Sequence, residues 1–154
     1  MTVVVGYVPT ETGFFAVREA TREARSRNLE VVIVNVVNAA GFTSPTAADE
    51  RSLDEVTAYL AKNGVPNTVR HVTDDAPASD TIVSIAKEVN AALIVLGAHQ
   101  RSWIARRLLG STTQSVVMAG PCPVLIVPDV DPSERGRLLS QDAPSPPKPG
   151  MSTN

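Results

Sequence analysis

The groups best suited to chemistry in this chain lie between Gly97 and Thr113. The run opens Gly97-Ala98-His99-Gln100 and closes Gly110-Ser111-Thr112-Thr113. Glycines let a ligand approach backbone N–H groups closely, and the hydroxyls add further donors. Ahead of it, Ala92 to Leu96 is an unbroken apolar run, as in a strand buried on both faces. Behind it, Ser111 to Ala119 predicts a helix, with Ser111 placed as N-cap and Gln114 completing a capping box. A helix start has free N–H groups and the positive end of the dipole, so this arrangement suits an anion such as phosphate. Gly97 admits two readings, a close approach of backbone to phosphate or a tight turn that needs positive φ.

Other chemistries find less support. Arg101, Arg106 and Arg107 within the same run either pair with a polyphosphate or form a solvated surface. His99 has no second ligand at usable spacing, so no metal site is expected. His71 reads as a structural side chain, and Trp103, Ile104, Leu108 and Leu109 as an apolar face closing the loop. The sequence has no GxxxxGK loop, no GxGxxG fingerprint and no GxSxG elbow. Cys122 stands between two prolines without a CxxC partner. Asp74, Asp75 and Asp80 read as helix-starting residues. No catalytic residue is assigned.

The elements that must position the run alternate along the chain. Strands are predicted at Thr2 to Val8, Leu29 to Val37, Thr68 to Val72, Ala92 to Leu96 and Pro123 to Val127. Pro9 to Gly13 breaks the first strand, and a helix follows from Phe14 to Arg27. A second helix is expected from about Asp49 to Asn63, stopped by Gly64, and a third begins in Asp74 to Pro77. Alternating helices and apolar strands imply a parallel sheet covered on both faces. Residues 129–154, with Ala143-Pro-Ser-Pro-Pro-Lys-Pro-Gly150, lack periodicity and read as a disordered tail after a domain spanning 1–128.

Composition sets outer bounds. A chain of 154 residues fits one domain, and 43% hydrophobic with 19% charged residues is ordinary for a globular protein. A net charge of −2 gives no electrostatic attraction to nucleic acid or to an anionic membrane. One cysteine excludes an internal disulfide and fits the cytoplasm. The N-terminus lacks a signal peptide's basic region, and no apolar run has the length of a membrane span.

The pattern Gly97, two residues, Gln100, nine residues, Gly110, Ser111 resembles the nucleotide-binding signature of universal stress proteins. The similarity extends from about Thr2 to Pro128, and includes Leu93-Ile-Val-Leu-Gly97 and Pro121-Cys-Pro-Val-Leu-Ile-Val127. It implies a doubly wound, open parallel five-stranded sheet of the adenine nucleotide alpha hydrolase type, ordered 3-2-1-4-5. It also implies an adenine nucleotide, ATP or AMP, with magnesium as a companion ion. Gly97, Gly110, Ser111, Thr112 and Thr113 would then hold the phosphates, the backbone of Val36 would meet the adenine, and Val8, Leu96 and Gln100 would belong to the same nucleotide site.

Two positions depart from the family pattern. Gln100 stands where the signature has its second glycine, and Val8 where ATP-binding members carry an acid for the ribose and base. Valine cannot accept a hydroxyl hydrogen bond, a contribution on the order of 1 kcal/mol. The resemblance further implies a homodimer paired through the Pro123 to Val127 strand, an edge fenced by prolines. The expected role is an ATP-binding sensor or regulatory module of the stress response. The rival readings are a protein-interaction module that binds no nucleotide, and a slow ATP hydrolase.

Overall fold

The computed structural model describes residues 1–38, 48–98 and 110–128. The loop expected over 39–48 lies outside them but for Ala48, as do the tail and the segment holding His99, Gln100, the three arginines and Trp103. The elements are β1 (Thr2–Gly6), α1 (Glu11–Arg27), β2 (Glu30–Asn38), α2 (Glu50–Lys62), β3 (Asn67–Asp74), α3 (Ala78–Glu88), β4 (Ala91–Ala98), α4 (Ser111–Ala119) and β5 (Val124–Pro128). All strand pairs are parallel, and the order is β3-β2-β1-β4-β5.

Alternation along the central strands divides the core in two. Val3, Val5, Val31, Ile33, Leu93 and Val95 face one side, where α1 and α2 pack with Val17, Ala20, Val56 and Leu60. Val4, Val32, Val34, Ile94 and Leu96 face the other, against Ile82, Ile85 and Ala86 of α3 and Val116 of α4. Burial on both faces is why β1, β2 and β4 read as unbroken apolar runs. The two outer strands differ. β3 alternates between exposed and partly covered residues, and its His71 is exposed instead of structural.

Several boundaries move from their sequence-based positions, each for a local reason. α1 starts at Glu11, because Thr10 caps it by accepting the Gly13 N–H at 3.1 Å. Gly13 is therefore inside the helix, pressed so closely on the Val8 carbonyl that no side chain fits there. β1 ends at Gly6, which leaves Val8 in the short link to α1. Asp74 closes β3 instead of starting a helix; its carboxylate accepts from the Ala76 N–H at 3.0 Å and the Thr81 hydroxyl at 3.3 Å. α3 then begins after Pro77, a residue with no N–H to lose.

Candidate functional site

The order β3-β2-β1-β4-β5 reverses direction between β1 and β4. In such a sheet the connections leave β1 and β4 for opposite faces, and the crevice beyond their carboxyl ends is where ligands bind. Gly6 and Leu96 are in register on the two strands and mark its floor. α1 leaves β1 on one face, and α4 follows β4 on the other. At its far end α4 reaches Gly120, which lies beside Ile94 and Val124. Its N-terminus is consequently at the carboxyl edge of the sheet.

That N-terminus differs from the sequence expectation by one residue. Gly110, not Ser111, is the N-cap: its backbone is extended (φ −61°, ψ 158°), and its carbonyl accepts the Gln114 N–H at 3.0 Å. Ser111 is already helical, so the expected capping box, which needs the hydroxyl at the N-cap, does not form there. A glycine has no side chain with which to cap the first N–H groups, and among the described residues no side chain caps them. Those donors remain available to a ligand, with the helix dipole behind them. Among the described residues, nothing lies within 4 Å of where a Cβ on Gly110 would sit. Ser111 and Thr112 are exposed, and Thr113 turns inward at 7% exposure.

Of the two expected readings of Gly97, the tight turn is overturned, because the residue lies within β4 and its φ is not positive. β4 runs on through Ala98, and Gly97 pairs with Val127 inside the sheet. Among the described glycines only Gly64 has positive φ. What excludes a side chain is α1: a Cβ on Gly97 would come within 2.7 Å of Thr12 Cγ2 and 2.9 Å of the Thr12 carbonyl oxygen. The glycine lets the helix that follows β1 settle directly on the end of β4.

The remaining site residues lie along the same edge. Val8 is partly buried, with its carbonyl accepting the Thr10 N–H at 2.7 Å. Val36 is on β2, in register with Val72 of β3 and packed beside it. Leu96 is buried, and Gln100 lies outside the described residues. Asn35 was not singled out from the sequence, yet it is fully buried: its amide donates to the Tyr7 carbonyl at 2.9 Å and its Oδ1 accepts the Ala48 N–H at 3.2 Å. A lone polar residue in the run Val31 to Val37 was the available signal.

Sequence reasoning also passed over two of the three buried hydroxyls that lack a partner among the described residues. Thr12, Ser79 and Thr113 are 7%, 6% and 7% exposed, each in the first turn of a helix. None has a hydrogen-bond partner among the described residues. Most buried polar groups are paired, so such groups call for an explanation. Each stands three residues before a buried apolar residue (Phe15, Ile82, Val116), and a hydroxyl at that helical spacing is the signal to look for.

On the α1 and α2 face, a cleft of about 460 Å³ is lined by Tyr7, Phe14, Ser52 and Glu55 among others. Burial pushes the Tyr7 phenol above its ordinary range; the hydrogen bond with Ser52 opposes this, and the negative charges of Glu55 and Asp49 add to it. Among the described residues no group of His, Cys, Asp or Glu side chains could hold a metal ion. No helix among them is long and apolar enough to cross a membrane.

Comparison with known proteins agrees with this architecture. A universal stress protein of Mycolicibacterium smegmatis is 28% identical over 125 residues, covering 81% of this chain and 95% of its own. A universal stress protein solved in complex with cAMP is 31% identical with a TM-score of 0.68, covering 84% of this chain and 98% of its own. One from Archaeoglobus fulgidus shares the fold at 24% identity and a TM-score of 0.69, covering 82% and 93%. The family described as "Universal stress protein family" matches residues 1–128. With the strand order and the glycine-opened α4 already in place, the chain belongs to the universal stress protein family.

Proposed function

We propose that the chain is a regulatory module that binds an adenine nucleotide, with ATP as its ligand, in the crevice between β1 and β4. The observation that carries this reading is the uncapped start of α4, where Gly110 leaves N–H groups open beside the point of strand reversal. The phosphates would meet the backbone of Gly110, Ser111, Thr112 and Thr113, and the adenine would meet the backbone of Val36. The relative solved with cAMP adds support at 31% identity.

The test is calorimetric titration of the full chain with ATP, alongside mass spectrometry of any ligand released from the purified protein. Saturable binding that Gly110→Asp abolishes supports the reading. No binding by the unaltered chain, and no ligand carried through purification, would reject it and leave the interaction-module alternative.

Association is proposed on separate ground. Val124, Leu125 and Ile126 of β5 are only partly covered, and Met118 and Val117 of the neighbouring α4 are 86% and 45% exposed. An apolar outer strand beside exposed apolar side chains suits antiparallel pairing with a second copy.

A further inference from the structure

Ser79 is a buried hydroxyl, on the same face of the sheet as α4, that the phosphate site does not account for. It is the second residue of α3 and shares a buried face with Ile82, Val83 and Ala86. The other hydroxyl in that first turn, Thr81, is engaged by Asp74. Ser79 has no partner among the described residues.

The position of α3 shows where this hydroxyl lies. A Cβ on Gly6 would come within 3.3 Å of Ile82 Cδ1, so the second turn of α3 covers the last residue of β1. β3 and β4 are parallel to the rest of the sheet, so α3 must run back against the strands. Ser79, one turn before Ile82, therefore lies beyond Gly6, towards the link that holds Val8. α3 packs beside α4, so Ser79 and the uncapped α4 start share one face and one edge of the sheet. Thr113 is at the phosphate end on α4, and Thr12 is on the opposite face against Gly97.

We infer that Ser79 is the residue that recognises the sugar, its hydroxyl pairing with a ribose hydroxyl and serving where Val8 offers no acceptor. A serine hydroxyl both donates and accepts, so it suits a sugar hydroxyl without adding charge beside the phosphates. This rests on the nucleotide-binding reading above.

The experiment compares ATP with 2′,3′-dideoxy-ATP on the full chain and on Ser79→Ala, by calorimetric titration. The unaltered chain is expected to bind ATP about fivefold more tightly than the dideoxy analogue. Ser79→Ala should bind the two alike, at the unaltered chain's affinity for the analogue. Inorganic tripolyphosphate should bind both proteins equally, which shows that the variant is folded and its phosphate site intact. An unaltered chain that does not distinguish the two nucleotides, or a variant that still does, overturns the Ser79 assignment and leaves nucleotide binding standing. Binding of neither nucleotide by the unaltered chain overturns both.

Discussion

The side chain of Asn35 and the carbonyl of Tyr7 are joined at 2.9 Å across two parallel strands, beyond the last residue of β1. The same amide group accepts the Ala48 N–H at 3.2 Å, so one buried residue ties the ends of β1 and β2 to the entry of α2. Asn35→Leu keeps the volume and leaves a carbonyl and an N–H without these partners. It should cost about 2–4 kcal/mol, read as a lowered midpoint in urea denaturation. An unchanged midpoint would show that water or a rearranged loop replaces both bonds.

Gly97→Ala should destabilise the fold by about 1–3 kcal/mol, since the new methyl group meets the Thr12 side chain and carbonyl. Gly110→Ala is the control, with nothing among the described residues within 4 Å of its Cβ. Urea denaturation of both variants separates a packing requirement from a ligand requirement. Equal midpoints would refute the contact with α1 as the reason for glycine at position 97.

Gly110→Asp should dissociate stability from binding. Aspartate is a favoured N-cap, and its charge suits the helix dipole, so stability should rise by a few tenths to about 1 kcal/mol. The same charge occupies the place proposed for phosphate, so calorimetric binding of ATP should disappear. A variant that is less stable, or that still binds, would contradict the geometry described for α4.

Leu125→Lys should convert a dimer to a monomer of 16.3 kDa by light scattering. The long lysine stem can still cover the edge of the core while its charge reaches water. A dimer mass unaffected by the change would place association elsewhere on the surface.

The Tyr7 phenol predicts an alkaline dependence. Burial raises its folded pKa above the ordinary value of 10.0. Its contribution to stability is therefore complete below that value and declines as pH rises past it. Tyr7→Phe should flatten the stability profile above about pH 10. Equal slopes for the two proteins in urea denaturation would show that the phenol is not the group responsible.

Much of the architecture is legible in the residues themselves. The Val and Ile runs of β1, β2 and β4 are unbroken because both faces are covered, which identifies a parallel sheet before any contact is known. β3 is less legible: half-exposed, it carries Arg70, His71 and Asp74, and its length depends on its register with β2. The N-cap is misplaced by one residue because Ser111 offers a hydroxyl at the expected position while the backbone turns at Gly110. Gly97 looks like a turn or a phosphate contact from its neighbours in sequence. The structure adds a constraint from Thr12, in a helix 85 positions earlier, and no local pattern carries that. Thr12 and Ser79 were missed for the same reason, since being buried without a partner is a property of the assembled sheet edge.

The two borders of the sheet are unlike. Along β3 the outward row is interrupted by charge and alternates with solvent, whereas β5 offers Val124 to Val127 without a charged residue. The proposed association therefore uses the β5 margin and not the β3 margin. In a dimer so paired, the doubled sheet would end in a β3 on both sides, and growth into a filament would have nowhere to continue.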